Sequence, residues 1–305
     1  MLKILVWRIN TLKNETKEIS RIGLGLLFLL VFLSCRTVSP FPVETLISPP
    51  LQKPRWKVSE YSSVMILDFS DSVDSSIPVG GVALTLDLSS LHIEIILTPA
   101  DASGRGETLS ARTTEFARQQ EVQIALNGSP YDPVDLLNRS ARAIDIVGLQ
   151  ISHRLLVSPG EDSFDALFVL ADGTLELGSQ AHIPEETTDA LGGFHLLLQE
   201  GRVLGVEDAR HPRTAIGLSE DGRTLVIAVF DGRQKNRAGL TTEETALWMK
   251  WLGCTRALNL DGGGSSTLVM IDRDGVVHVL NNPVHRGRPG LERAVGNHLG
   301  IRLIR

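Results

Sequence analysis

One short stretch of the sequence combines residue types that could do chemistry. Residues 261–266 read Asp-Gly-Gly-Gly-Ser-Ser and connect one apolar run, 257–260, to another, 267–271. Glycine permits positive φ and close approach of a ligand to the backbone, but each glycine costs conformational entropy on folding. A carboxylate, bare backbone amides and two hydroxyls suit the binding of a sugar or of a phosphate oxygen. The alternative is a glycine bulge or a loose hairpin loop that binds nothing.

The sequence context excludes a nucleotide-binding phosphate loop. Such loops read GxxxxGK[ST] or GxGxxG and lie between a strand and a helix. Here no lysine follows the glycines, and the next residues are apolar and β-branched up to the turn at 272–275. The sequence therefore predicts that strand, turn and strand follow one another here. Residues 260–266 are called the Asp261 loop below.

The composition and the histidine spacing give no sign of nucleic-acid or metal binding. The chain has 305 residues, a net charge of −6 and no basic block, so nothing indicates a nucleic-acid partner, which would require a clustered cationic face. His211 and His298 could move protons or bind a metal. However, the sequence contains no HxH or HExxH spacing, so we expect structural roles for both and predict neither a metal nor a cofactor.

The N-terminal region predicts export and a lipid anchor. Basic residues precede the apolar run 22–33, which has the length of a signal-peptide core, whereas a bilayer span needs roughly 20 residues. Ser34 and Cys35 then resemble a bacterial lipoprotein cleavage site. We predict a lipoprotein-type signal peptide over 1–35 with lipid on Cys35, a Pro/Ser-rich tether over 36–55 and a globular domain over 56–305. An uncleaved signal anchor is the alternative.

Short strands separated by turn signals dominate the predicted globular domain. For example, 214–218 should pair with 225–229 through the turn Ser219-Glu220-Asp221-Gly222, because Asp-Gly favours positive φ. Thr241 and Glu244 form a capping-box pattern before an apolar helix face. The sequence predicts an α+β fold, a single domain with a twisted, largely antiparallel sheet and a few packed helices.

Three charged residues at strand ends are the candidate catalytic groups. Asp261 is the favoured acid, base or nucleophile, and its alternative role is to cap the glycine turn. Arg213 is the favoured anion-binding group, because a planar guanidinium matches phosphate oxygens in a bidentate manner. An ordinary surface ion pair is equally compatible with that residue. Asp231 also follows a strand and precedes a glycine, and could be a plain turn residue.

Several motifs taken together resemble the phosphodiester glycosidase family. Ala-Leu-Asn-Gly, His-Pro-Arg-Thr-Ala-Ile-Gly, a capped helix and Leu-Asp-Gly-Gly-Gly-Ser-Ser occur in that order, followed by Asn-Asn-Pro and a closing segment. They are weak singly and fairly specific together. The resemblance covers roughly residue 60 to the end, and its segments are 125–128, 211–217, 239–253, 260–266, 281–283 and 292–300.

The resemblance implies hydrolysis of the bond between a sugar's anomeric carbon and a phosphodiester in bacterial envelope glycan. Arg213 would stabilise the departing phosphate, Asp261 would be the nucleophile or the base for water, and Asp231 would be the second carboxylate. The partner would be a glycan or sugar phosphate, and the lipid anchor would contact the membrane. A non-catalytic envelope lipoprotein that binds a glycan or a glycan phosphate is the alternative. The expected substrate-binding residues are Asn127, Gly262, Gly263, Gly264, Ser265, Ser266 and Arg293.

Overall fold

β-Strands make up most of the structure, a computed structural model that describes residues 46–69, 79–90, 92–206 and 209–304. The predicted signal peptide, Cys35 and residues 36–45 of the predicted tether lie outside these ranges. In the described part of the chain, no helix is long and apolar enough to cross a membrane.

The described residues contain 23 strands, two α-helices and one 3-10 turn, Gly263–Ser265. The helices are α1, Thr113–Gln119, and α2, Thr242–Trp251. The first strands are β1 Lys57–Val58, β2 Val64–Asp68, β3 Gly81–Asp87, β4 His92–Leu97, β5 Thr108–Leu109, β6 Ile124–Asn127, β7 Tyr131–Asp132, β8 Ala143–Ile146, β9 Gln150–Ser152, β10 Leu155–Ser158, β11 Asp165–Leu170 and β12 Leu175–Ser179. The others are β13 Thr187–Gly192, β14 Leu196–Gln199, β15 Arg202–Val203, β16 Arg213–Leu218, β17 Thr224–Phe230, β18 Arg256–Asn259, β19 Leu268–Ile271, β20 Val277–Val279, β21 Val284–His285, β22 Arg288–Pro289 and β23 His298–Ile304.

These strands form three larger sheets and two small ones. The eight-stranded sheet has the order β1-β2-β3-β17-β16-β18-β14-β15. The two five-stranded sheets have the orders β10-β9-β13-β11-β12 and β20-β19-β6-β23-β4. The small sheets are the hairpin β21-β22 and the group β5-β8-β7. Each pairing between the described strands is antiparallel.

The main core lies between the eight-stranded sheet and the two five-stranded sheets. Successive side chains of a strand point to opposite faces, so one strand contributes to two layers. In β6, Leu126 belongs to this core and Ala125 packs beneath Phe116 of α1 on the outer face. In β16, Ile216 belongs to the same core and Ala215 packs toward α2. One helix therefore covers the outer face of each of these two sheets.

Helix α2 begins at the predicted capping box. The Thr241 hydroxyl accepts a hydrogen bond from Glu244 N, and the Glu244 carboxylate accepts one from Thr241 N, which confirms the prediction. The same carboxylate accepts a hydrogen bond from Ile47 N at 2.7 Å, and Trp248 Nε1 donates to Ile47 O at 3.1 Å. The segment that begins at Leu46 is therefore bound to α2, and Ile47 is 3% exposed.

The predicted α+β fold class is wrong. The described chain is mostly β, with two α-helices, and its strands belong to several sheets rather than to one. The turn signals located individual strands, but they do not specify which distant strands pair. The C-terminal strand β23 pairs with β4 and β6, which lie far away in sequence. Such long-range pairings decide the number of sheets.

Candidate active site

The Asp261 loop follows β18 and lies against two other loop segments. Asp261 N donates to Gly128 O at 3.0 Å, and Gly263 N donates to Pro212 O at 2.8 Å. A Cβ atom at Gly262 would lie 2.7 Å from Pro212 O, so a side chain does not fit there. The ends of β6 and β18 and the start of β16 therefore meet at this loop.

The buried Asn127 side chain joins these three segments. Its Nδ2 donates to Asp261 O at 2.6 Å, and its Oδ1 accepts hydrogen bonds from Thr214 Oγ1 at 2.9 Å and from Thr267 N at 3.1 Å. Asn127 is 0% exposed. The structure therefore uses this amide to hold the Asp261 loop, and the predicted contact with substrate stays a prediction.

Two guanidinium groups lie directly over the glycines of the loop. Gly263 has φ +64°, and a Cβ atom there would lie 3.0 Å from Arg233 Nη1. A Cβ atom at Gly264 would overlap Arg293 Nη2. The glycine run thus lets Arg233 and Arg293 approach the backbone closely, which explains why positions 263 and 264 carry no side chain.

The Asp261 carboxylate lies in this cationic surrounding. Burial raises its pKa, while the Ser265 hydroxyl and the charge of Arg293 act in the opposite direction. Gly262 N donates to Asp261 Oδ1 at 3.0 Å, and the Arg233 charge also favours the ionised form. The balance is an acid whose pKa is above the ordinary aspartate value, which suits a group that exchanges protons.

Arg293 connects the loop to two further side chains. Its Nη1 donates to Ser265 Oγ at 3.4 Å, a long hydrogen bond, and its Nε donates to His285 Nδ1 at 3.1 Å. Tyr131 lies in the same electrostatic environment: burial raises its pKa to about 12, and Arg293 and Asp261 have opposite effects on it. Tyr131 is therefore a neutral hydroxyl that lines the charged cluster.

Arg233 is oriented by a neutral histidine. Its Nη2 lies 3.0 Å from His211 Nδ1. Burial, followed by the charges of Arg233 and Arg213, lowers the pKa of His211 to about 4. The imidazole is therefore neutral near pH 7 and accepts the hydrogen bond from the guanidinium.

Arg213, the predicted anion-binding residue, is 8% exposed and donates hydrogen bonds to the protein backbone. Its Nε donates to Leu240 O and its Nη2 to Ala209 O, both at 2.9 Å. These bonds hold the segments before β16 and before α2. Its charge still acts on His211, so it lies near the site without lying over the glycines.

Asp231, the predicted second carboxylate, is held in a separate polar cluster. It forms an ion pair with Arg237 and accepts hydrogen bonds from Asn281 Nδ2 at 3.0 Å and Asn282 N at 2.9 Å. Burial raises its pKa, and these partners act against that shift. Asn281 in turn donates to Ser266 O at 3.1 Å, so Asp231 supports the end of the loop from outside.

The remaining loop hydroxyls are deeply buried. Ser265 and Ser266 are 0% and 1% exposed, and Ser266 Oγ has no hydrogen-bond partner among the described residues. No group of three or more histidine, cysteine or carboxylate side chains that could hold a metal occurs in the described ranges.

Sequence reasoning missed three residues of the cluster as functional candidates. Arg233 follows the predicted catalytic residue Asp231 by two positions, which was the available signal. Its positive φ of 56° is not visible in the sequence. Tyr131 follows Asn127-Gly128 by a few residues, which was the available signal. His285 lies in the β21–β22 hairpin, and nothing in its local sequence indicates a contact with Arg293.

The sequence model described as phosphodiester glycosidase matches residues 120–302. This chain belongs to the phosphodiester glycosidase family. The predicted resemblance is therefore confirmed.

Individual relatives support the same fold. The SPbeta prophage-derived protein YomE of Bacillus subtilis (strain 168) is 38% identical in an alignment of 213 residues that covers 64% of this chain and 30% of that protein. The catalytic domain of zebrafish N-acetylglucosamine-1-phosphodiester α-N-acetylglucosaminidase, auto-inhibited by its pro-peptide, has a TM-score of 0.57 at 22% identity, over 85% of this chain and 87% of that one. A Burkholderia pseudomallei K96243 protein named "Putative exported protein" has a TM-score of 0.52 at 15% identity, covering 74% of each chain. The match to YomE spans less than a third of that protein's length.

Proposed function

We propose that this phosphodiester glycosidase hydrolyses the bond between the anomeric carbon of a sugar and a phosphodiester. One observation carries the proposal: the Asp261 carboxylate, which follows β18 and precedes the glycine turn, lies among the guanidinium groups of Arg233 and Arg293. A guanidinium binds phosphate oxygens through a planar, bidentate fork, and a carboxylate can attack or activate water at the neighbouring carbon.

The proposed reaction assigns different roles to these groups. Arg233 and Arg293 stabilise the negative charge that develops on the phosphate as the glycosidic C–O bond breaks. Asp261 acts as the nucleophile or as the base that takes the proton from the attacking water. Phosphate leaves readily without strong acid catalysis. Asp231, which is bound by Arg237 and Asn281, is therefore not required as a proton donor. Arg213 then positions the segments before β16 and before α2.

The names of the structural relatives support the finer assignment of substrate and place. The zebrafish enzyme is named for an N-acetylglucosamine-1-phosphodiester, and the same class of bond in bacterial envelope glycan is our proposed substrate. A second relative carries a name that describes export, which agrees with the signal peptide predicted before Cys35. We propose an exported, lipid-anchored enzyme. Mass spectrometry of the membrane-extracted protein should find an acylated N-terminal Cys35, whereas a mature chain that begins at Met1 would contradict the anchor.

Arg293→Lys tests the phosphate role directly, because it keeps the positive charge and removes the fork. On a sugar-1-phosphodiester we expect kcat/KM to fall by about 100-fold, in line with roughly 2.7 kcal/mol of lost transition-state stabilisation. On an aryl glycoside without phosphate the loss should be much smaller. Release of free sugar is the measurement for both substrates.

Arg202→Lys is the matched control, because Arg202 is exposed on β15 in the eight-stranded sheet. It should leave both activities unchanged. An equal loss on both substrates for Arg293→Lys would remove the phosphate role. Binding of the phosphodiester without any release of sugar by the wild-type protein would favour the non-catalytic glycan-binding lipoprotein instead.

A further inference from the structure

A second cationic region lies beside the candidate active site. A pocket with a volume of about 510 Å³ lies between the β21–β22 hairpin and the segment around Leu136. Its turn residues Arg286 and Gly287 have φ of 53° and 71°, which is the two-residue turn geometry that projects the neighbouring side chains from a tight hairpin. Its lining includes Arg112, Leu136, Leu137, His285, Arg286 and Arg288.

The charge of this pocket is positive. Three arginines line it, and none of its described lining residues is acidic. Arg112 forms an ion pair with Glu115 at 2.7 Å, and Arg286 Nη1 donates to Leu136 O at 2.7 Å. The Arg288 guanidinium makes no hydrogen bond or ion pair with the described residues and is exposed. Part of this positive charge is therefore available to an anion.

A buried donor in the pocket wall lacks an acceptor. His285 is 3% exposed, its Nδ1 accepts the hydrogen bond from Arg293, and its Nε2 has no partner among the described residues. Burial, and then the charges of Arg293, Arg286 and Arg112, lower its pKa to about 4. Because Nδ1 is the acceptor in a neutral ring, Nε2 carries the proton and is a donor without a partner. Leaving such a group unpaired is costly, and because Nε2 is covered by protein atoms, this N–H acts on the pocket as a dipole behind its wall and not as a direct ligand contact.

The other wall of the pocket is apolar and open to solvent. Leu136 and Leu137 are 73% and 69% exposed, which is unusual for two adjacent leucines. A ligand that satisfies both walls needs an anionic group and a carbon chain. Inorganic phosphate alone would leave the leucines uncovered.

We propose that this pocket is a subsite for an organic phosphate in the leaving part of the substrate, with the phosphate on Arg288 and Arg286, in front of His285, and the carbon chain on Leu136 and Leu137. The Arg293 side chain connects it to the Asp261 loop, through His285 on one side and Ser265 on the other. The assignment to the leaving part rests on the proposed function, in which Arg293 contacts the departing phosphate. The substrate class is then a sugar-1-phosphodiester whose aglycone carries a second phosphate.

Calorimetric titration of the full chain with hexyl phosphate, inorganic phosphate and hexanol tests the pocket without requiring turnover. Hexyl phosphate should bind at least about tenfold more tightly than either of the others, a difference of ~1.4 kcal/mol. The double variant Arg286→Gln/Arg288→Gln should lose that tenfold advantage. Arg202→Gln removes an exposed arginine elsewhere and should bind as the wild type does. Equal binding by the double variant would overturn the proposal.

A kinetic experiment separates this proposal from the proposed function. Two sugar-1-phosphodiesters are compared, one with a methyl aglycone and one with a 6-phosphohexyl aglycone. The wild type should show a kcat/KM about tenfold higher for the phosphohexyl compound, and the double variant should lose the preference. Turnover of both compounds at equal kcat/KM would reject the subsite and keep the proposed function. Tight binding of hexyl phosphate without turnover of either compound would keep the anion pocket, reject the proposed function and remove the assignment to the leaving group.

Discussion

Two aspartates, Asp231 and Asp261, have almost the same sequence context and different surroundings. Each follows an apolar strand and precedes a glycine, and burial raises the pKa of each carboxyl. Asp231 is 3% exposed and is bound by Arg237, Asn281 and Asn282. Asp261 is partly exposed and accepts a backbone hydrogen bond from the next residue. It lies near the guanidinium groups of Arg233 and Arg293, which contact the glycines of its loop.

The difference shows how the same residue type serves structure in one place and chemistry in another. A carboxylate whose two oxygens are occupied by an arginine and two asparagine groups stabilises the chain around it, provided that the partners offset its desolvation. A carboxylate that is partly exposed among cationic side chains can still accept contacts from a reacting group. We therefore expect substitutions at the two positions to affect different measurements.

The largest expected effect follows from Asp261→Asn. This change keeps the shape of the side chain and removes the charge, so turnover of a sugar-1-phosphodiester should fall by at least about 10³-fold, or ~4 kcal/mol. Binding of the substrate and the thermal transition should change little. Release of free sugar and a calorimetric melt are the measurements. Near-normal turnover by the folded variant would remove Asp261 from the reaction.

Gly264→Ala should reduce kcat/KM by about 10- to 100-fold, because the added methyl group displaces Arg293 and a misplacement of ~1 Å can cost about 100-fold. The unfolding free energy should change little, since the displaced group is the end of a flexible side chain. Gly178→Ala in β12 is the control, because its Cβ would make an ordinary 3.8 Å contact with Phe168. Equal activities for the two variants would show that the close approach of Arg293 has no catalytic value.

Asp231→Asn should instead reduce stability. Removing one partner of a buried ion pair costs about 3–5 kcal/mol, and we expect about 2 kcal/mol here because the Arg237 side chain is 31% exposed. Urea unfolding measures this loss. The activity per folded molecule should fall by less than about tenfold, which corresponds to ~1.4 kcal/mol. A loss of turnover as large as that of Asp261→Asn, in a stably folded variant, would make Asp231 a second catalytic carboxylate.

The smallest expected effect is a displaced acidic limb in the pH dependence of kcat/KM. A base or nucleophile must be ionised, so activity rises with pH through the pKa of Asp261, which burial raises above the ordinary value of about 3.9. His211 and His285 have pKa values of about 4, so neither should add an inflection near pH 6.5. A pH–rate profile measures this. An inflection near pH 6.5 that disappears in His211→Gln would contradict the neutral role of that residue.

The sequence allowed prediction of features that depend on neighbouring residues. The capping box of α2 and the hairpin of β16 and β17 are local, and the structure has both. The run Asp-Gly-Gly-Gly-Ser was also recognisable because its context is unusual, and it lies within the residues that the family model matches. Features that depend on long-range pairing were not accessible. The number of sheets follows from strands such as β23 that pair across most of the chain.

The arginines illustrate the same limit within the site. Arg213, Arg233 and Arg293 all lie in polar loops, and local sequence cannot tell which guanidinium contacts the glycine turn. The structure shows Arg213 bound to the carbonyls of Leu240 and Ala209, whereas Arg233 and Arg293 lie over the glycines. That choice depends on the distances between loops from different strands.

The contact between Ile47 and α2 determines where a recombinant version of this domain can begin. The predicted boundary at Trp56 would delete Ile47, remove a hydrogen-bond donor from Glu244 and leave Trp248 Nε1 without its acceptor. Because Glu244 also forms a buried ion pair with Arg210 at 2.6 Å, that truncation would expose a charged and aromatic surface to water. Expression of the domain should therefore start upstream of Leu46.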